Sequence, residues 1–310
     1  MAATDPTVAA RSPGFSAPAG RTLRAVAGFF RGLFSSPQSA VGTLLVLFFL
    51  VLAVFGPMLA PYTENDQNHP VAAEPSAAYP FGTDHLGRDM FSRTILGARS
   101  ILVKAGLGTL IAVVAGTVLG LGIGYAGGLL DDAISRVIDA FLALPAMLVA
   151  LVTLGIVRNL PLERGSLAAW LASNSVLLVI ALVYVPIVAR VVRSSTLDIK
   201  TREFVEAAQI RGESPLYIMF REILPSVIPA LVVEASLRFS YAIFLVASLG
   251  FLGVGARPPS PDWGLMVNEN RRLFQLTPWA LIYPALAISI LVVGVNLMSD
   301  GIKRTVQRGG

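Results

Sequence analysis

"EFVEAAQIRGESPLYIMFREILPS", Glu203 to Ser226, is a polar, charge-rich island in a chain that is otherwise mostly apolar. Phe204, Ala207, Ala208 and Arg211 recur at three- and four-residue spacings, which predicts a compact helical face. Gly212 suits the left-handed residue that ends such a helix. Ser214 then fits an N-cap and Pro215 the first helical position, so Leu216 to Ile223 reads as a second short helix with Pro225 marking its exit. The expected product is a helix, turn, helix lying flat at a membrane face. Phe204, Leu216, Tyr217, Met219 and Phe220 are then available either to rest on lipid or to fill a partner's groove.

The surroundings of the island set its context. Of 310 residues, 55% are hydrophobic and 14% charged, against roughly 25% charged in a soluble domain. A bilayer core of about 30 Å takes about 20 mainly apolar residues per helix. Six runs meet that need, at about Ala40 to Pro61, Ile101 to Tyr125, Ile134 to Val157, Val176 to Val192, Ser226 to Leu252 and Trp279 to Ser299. The expected class is an all-α integral membrane protein with six transmembrane helices in one bundle. Cysteine is absent, which removes disulfides, thiolate nucleophiles and Cys-ligated metals. His69 and His85 lie in no metal-binding arrangement and read as ordinary loop residues.

Arg11, Arg21, Arg24 and Arg31 precede the first run, whereas Tyr62 to Pro80 holds acids and no Lys or Arg. The positive-inside rule therefore places the N-terminus in the cytoplasm, and six crossings return Lys303, Arg304 and Arg308 to the same side. The island falls inside as well. The excess of base is matched to anionic lipid headgroups rather than to nucleic acid. Residues 1–38 read as a flexible cytoplasmic tail with a short interfacial segment at Val26 to Phe34, residues 39–304 as the membrane domain, and 305–310 as a C-terminal tail. One stretch conflicts with this topology: Arg88, Arg93, Arg99 and Lys104 stand just before the second run, on the outer side.

Gly108, Ala112, Gly116, Gly120, Gly124 and Gly128 form a ridge of small residues at four-residue spacing, predicting a face where another helix packs closely. Pro145, Pro186, Pro229 and Pro284 fall within runs, as static kinks or as bending points of a gate. Glu234 and Arg238 are four apart inside the fifth run, in the order that favours an ion pair. Charges at that depth are costly, and two uses stay open: a pair locking helices together, or contact with a substrate's charged ends. Asp139 reads as an interfacial cap or a charge within its run. Trp263 and Trp279 read as interface markers, and "ARPPSPDWG" as a rigid outer loop.

"EAAQIRG", followed after nine residues by "EILP", resembles the EAA loop of ABC importer permeases. In that loop a short coupling helix docks into the nucleotide-binding subunit. Glu206, Ala207, Ala208, Gly212, Leu224 and Pro225 match the motif position by position; Glu222 stands where the general motif has Ile, a form found in the peptide-importer branch. "FGTDHLGRDMFSRTILGARSILV", "LGFLGVGARPPSPDWG" and "NLMSDGIKR" resemble segments of the same branch, the DppC/OppC-like permeases, so the similarity spans about Pro57 to Arg304. The Leu-Asp-Pro element common near the C-terminus of relatives is missing after Asp300.

The resemblance implies a type I ABC importer (MetI-like) permease fold that moves dipeptides or oligopeptides. Glu206, Ala207, Ala208, Gly212, Leu216, Leu224 and Pro225 become the ATPase-coupling candidates, and Glu234 with Arg238 the candidates for a substrate path or a helix lock. The implied partners are a second, DppB/OppB-like permease, one or two ABC ATPase subunits and an extracytoplasmic peptide-binding protein. No cofactor is expected in this subunit; ATP and Mg belong to the partner ATPases. The chain has no Gly-Lys pair, so it carries no GxxxxGK[ST] phosphate loop and is not itself an ATPase. An ion channel or pore also accommodates six spans, but shows no filter sequence or carboxylate ring and leaves the island without a role. An intramembrane enzyme lacks any Ser/His, paired-Asp or metal-ligand constellation inside the runs.

Overall fold

A computed structural model describes residues 32–34, 36–159 and 167–309. The expected N-terminal tail, with Arg11, Arg21, Arg24 and Arg31, lies outside the described residues up to Gly32. Ten helices are used below: α1 Pro37–Leu59, α2 Met90–Ala126, α3 Gly128–Leu142, α4 Ala146–Arg158, α5 Leu167–Ser173, α6 Ser175–Lys200, α7 Glu203–Ile210, α8 Pro215–Phe251, α9 Trp263–Asn270 and α10 Pro278–Gly309. Among the described residues the only β-pairing is an isolated bridge between Thr83 and Asp89.

Five of these helices, α1, α2, α6, α8 and α10, are long and apolar enough to cross a bilayer. The expected third span differs from the rest. It is a pair, α3 and α4, bent by 91°. Pro145 stands at the break and is the N-cap of α4, and its ring disfavours helical backbone at Leu144 before it. Pro186, Pro229 and Pro284 stay inside continuous helices. No break marks Arg304, since α10 runs on through the expected C-terminal tail to Gly309.

Local chemistry starts the helices. Ser36 accepts a hydrogen bond from the Ser39 amide with Pro37 in the first turn of α1, and Asp89 accepts from the Ser92 amide at 2.8 Å to begin α2. The main apolar core then forms between α1, α2, α6, α8, α9 and α10, around Phe49, Met90, Ile101, Ile180, Ile243, Leu249, Trp263 and Leu291.

The small-residue ridge lies between α2 and α6, the most extensive helix interface among the described residues. A Cβ on Gly108 would stand 2.7 Å from Ile180, on Gly116 2.6 Å from Val188 and on Gly120 2.5 Å from the carbonyl oxygen of Ala189. Gly128 is a correction: it begins α3 at φ +62 with open space beside it, so the ridge ends at Gly124. Gly42 and Gly294 bring α1 and α10 together in the same way. Gly120→Val should separate α2 from α6 and cost about 1–3 kcal/mol, read as a lower midpoint of thermal unfolding in detergent. An unchanged midpoint would count against close packing here.

The basic stretch that opposed the topology is paired. Arg88 reaches Asp84 at 2.7 Å and Glu269 at 2.8 Å, with both Arg88 and Asp84 side chains almost wholly buried. Arg93 lies 3.7 Å from Glu269 and donates to the carbonyl oxygens of Pro259 and Ser260. Lys104 meets Asp262 at 3.0 Å. These charges are consumed inside the protein, and among the four bases only Arg99 is exposed.

The proline-rich loop departs from expectation at Trp263. It is fully buried, donating from Nε1 to the Thr94 carbonyl at 2.8 Å, so it is a core residue and not an interface marker. Asp262 accepts from the Leu265 amide and starts α9 immediately after the proline-rich loop. Trp279 is half-buried and donates to the Thr83 carbonyl at 2.9 Å.

Candidate functional site

The island folds locally as its residues dictate. α7 spans Glu203–Ile210, and Gly212 adopts φ +76 with its amide donating to the Gln209 carbonyl at 2.9 Å. The Glu213 amide closes back on the Ala208 carbonyl at 3.2 Å. Ser214 then accepts from the Tyr217 amide at 3.3 Å and Pro215 takes the first position of α8. Arg211 braces the turn, 3.6 Å from both Glu213 and Glu222.

Two expectations change here. The inward face of α7 is Val205 with Ala208, while Phe204, Ala207 and Arg211 face out. Pro225 is not an exit. Residues Ile218–Ile223 form a π-helical segment, with the Leu224 amide bonding the Met219 carbonyl, and the helix continues through Pro225 to Phe251. The wider turn lets the chain pass a residue that has no N–H to give and a ring that crowds the preceding turn.

A second apolar cluster fastens the island to the spans. Val205, Ala208, Ile218 and Ile223 are buried together with Val227 of α8, Leu121 of α2, and Val188 and Val192 of α6. The opposite side is open: Ile210 is 85% and Leu216 65% exposed, with Phe204, Tyr217 and Phe220 also exposed. Sequence reading missed Ile210, which lies outside the chosen face and was read only as part of the motif. Of the coupling candidates, Glu206, Ala207, Gly212, Leu216 and Pro225 are exposed, Leu224 is half-buried and Ala208 is buried as an anchor.

Next to the island, α3 is tied to α6 by charge. Asp131 binds Arg193, with Nη2 to Oδ2 at 2.7 Å, and Asp139 binds Arg190, so Asp139 is an interhelical partner and not a cap. Lys200, the last residue of α6, donates to the Tyr125 carbonyl at the end of α2. Farther along α8, the Arg238 Nε and Glu234 Oε1 atoms are buried and face each other at 2.8 Å, and the Arg238 guanidinium lies over the rings of Tyr184 and Tyr241.

Comparison with known proteins places this architecture. The profile of the family described as "Binding-protein-dependent transport system inner membrane component" matches residues 116–309, which include α3 to α10 and the whole island. The chain belongs to this family. Residues 27–76 match a second profile, the N-terminal TM domain of oligopeptide transport permease C. This permease is 36% identical over 276 residues to the dipeptide transport system permease protein DppC of Alkalihalophilus pseudofirmus, covering 88% of this chain and 86% of that one. It is also 36% identical over 277 residues to the glutathione transport system permease protein GsiD of Pectobacterium atrosepticum, covering 89% and 88% of the two chains. Among solved structures, the inward-facing MetNI methionine ABC transporter superposes with a TM-score of 0.56 at 18% identity, over 70% of this chain and 97% of that chain. The permease is thus a DppC/OppC-like, multi-pass, non-enzymatic membrane subunit with the MetI-like fold expected of it. These matches give the ion-channel reading no support.

Proposed function

We propose that this subunit carries peptides across the bacterial inner membrane, driven by ATP hydrolysed on separate ABC ATPase subunits that dock on the island. The observation that carries the reading is a contrast within the 20 residues from Phe204 to Ile223: Val205, Ala208, Ile218 and Ile223 are locked to three spans, while Phe204, Ile210, Leu216, Tyr217 and Phe220 are left uncovered. An apolar knob rigidly joined to spanning helices can pass motion from a partner's groove into the membrane. Glu206, Ala207, Ala208, Gly212, Leu216, Leu224 and Pro225 are the residues assigned to that coupling, with ATP and Mg held by the ATPases.

The island then faces the cytoplasm with both termini, and the Arg88–Glu269 network faces outward. A DppB/OppB-like second permease completes the translocation path, an extracytoplasmic binding protein delivers the peptide, and lipid covers the remaining apolar surface. Closure of the ATPases moves α7, and tilting of α6 and α8 switches the exposure of the path. Support for the peptide cargo comes from the dipeptide and glutathione systems among the relatives.

The test is purification of the tagged chain from its native membranes in mild detergent, with mass spectrometry of what accompanies it. A second permease and P-loop ATPases are expected; folded chain emerging alone or as a homo-oligomer overturns the reading. Ile210→Glu alters no buried contact and should lower ATPase recovery at least about fivefold, as loss of a central apolar anchor does. Undiminished recovery would remove Ile210 from the docking surface.

A further inference from the structure

The Glu234–Arg238 ion pair lies within one helix and does not bridge two. Both residues belong to α8, four positions apart, and neither bonds an oppositely charged group on another helix among the described residues. The polar clamps that hold α8 to α10 are elsewhere: Ser240 donates to Asn296 at 2.7 Å, and Ser299 donates to the Ser236 carbonyl at 3.2 Å. Yet Arg238 stands midway between Leu224 and Phe251, where an ionised pair is costly to keep.

The surroundings of Arg238 are built for a guanidinium. Its carbon lies 5.7 Å from the centre of the Tyr184 ring on α6 and 4.9 Å from that of Tyr241, one turn along α8. The rings hold the cation by its faces and leave its N–H edge, which is shaped to receive a carboxylate in bidentate fashion. Tyr241 and Phe244 are exposed at 53% and 62%, so the pair borders an open stripe of α8. Glu234 offers the complementary charge one turn away, at about 6 Å of helix rise. Two extended residues span about 7 Å.

We propose that Glu234, Arg238, Tyr184 and Tyr241 form a station in the translocation path for a short zwitterionic peptide. Arg238 takes the terminal carboxylate and Glu234 the terminal ammonium, and the two side chains pair with each other when no cargo is present. Mutual pairing keeps each charge neutralised during the empty part of the cycle. The station rests on the importer reading and adds to it a preference for short cargo with both ends free.

The test uses the complete transporter, purified with its partners and reconstituted in proteoliposomes. ATP-driven uptake of Ala-Ala, its C-terminal amide and its N-acetyl derivative is measured with one binding protein throughout. Because the same protein delivers cargo in every arm, a change in the ratio between peptides reports on the permease alone. Arg238→Gln is expected to lower the ratio of Ala-Ala to its amide about tenfold, as loss of a charge-assisted carboxylate contact does. Glu234→Gln should do the same for Ala-Ala against its N-acetyl form. Tyr241→Leu keeps the pair, lies at an exposed site and should shift the amide ratio in the same direction by about threefold; it serves where Arg238→Gln does not assemble.

Equal losses for all three peptides, or unchanged ratios, overturn the station. So does a wild-type complex whose ATPase responds to its loaded binding protein but which moves none of these peptides. Those outcomes leave the importer reading intact. Absence of any ATP-driven uptake or ATPase stimulation in the assembled wild type is what overturns that reading, and the station with it.

Discussion

In Gly212→Pro, ATP-driven uptake is expected to fall below about a tenth of the wild-type rate while the spans stay folded. Gly212 sits at φ +76. A proline ring fixes φ near −65°, so the turn cannot keep its shape, and the hydrogen bond from the Gly212 amide to the Gln209 carbonyl is lost as well. Proline also disfavours the αR backbone that Arg211 adopts before it. The angle between α7 and the start of α8 must therefore change, although Val205 and Ala208 remain free to bury. Gly212→Asn separates backbone shape from side-chain presence. No atom stands within 4 Å of a Cβ at this position, and asparagine tolerates the left-handed region, so about half or more of the uptake should survive. Normal uptake with proline, or equal loss with asparagine, would show that the turn's conformation is not what matters.

Arg88→Met is the substitution with the largest expected cost in stability, about 3–5 kcal/mol. It strands the fully buried Asp84 carboxylate and leaves Glu269, among the described residues, with Arg93 as its only cationic neighbour, at 3.7 Å. Asp84 also accepts the amides of Leu86 and Arg88, both at 2.9 Å, so its uncompensated charge is built into the turn that leads into α2. Arg99→Met, eleven residues on and exposed, removes the same charge and should change stability by no more than about 0.5 kcal/mol. Thermal unfolding of the two variants in one detergent compares them directly. Similar midpoints would mean that the network is not carrying the end of the bundle where α2 begins.

The island was legible because its signals are local. Gly212, Ser214 and Pro215 each favour one backbone shape through their own covalent structure, and the turn followed from them. The glycine ridge was legible from its spacing as far as Gly124, but the positive φ that takes Gly128 out of it left no mark in that spacing. Long-range pairing left no such trace. Arg88 and Glu269 are 181 residues apart, so a stretch that looked like misplaced positive charge could not reveal its partner. Pro145 was read as a static kink or a bending point, and a proline's demand on the backbone before it does not state how sharp the 91° bend will be. Ile210 and Trp263 failed in opposite senses, since apolar character alone does not say which side of a surface a residue takes. Pro225 misled because a π turn can carry a proline through a helix that an α turn would end.

That π turn separates Leu216 from Arg238 on a single unbroken rod. Each residue of an α-helix advances the azimuth by about 100°, and the wide turn over residues 218–223 takes up one additional residue without breaking the rod. Forcing that turn into α geometry with all its residues kept would turn the membrane half about 100° relative to the island. The segment acts as a keyway: it fixes which stripe of α8 points where when the island is turned.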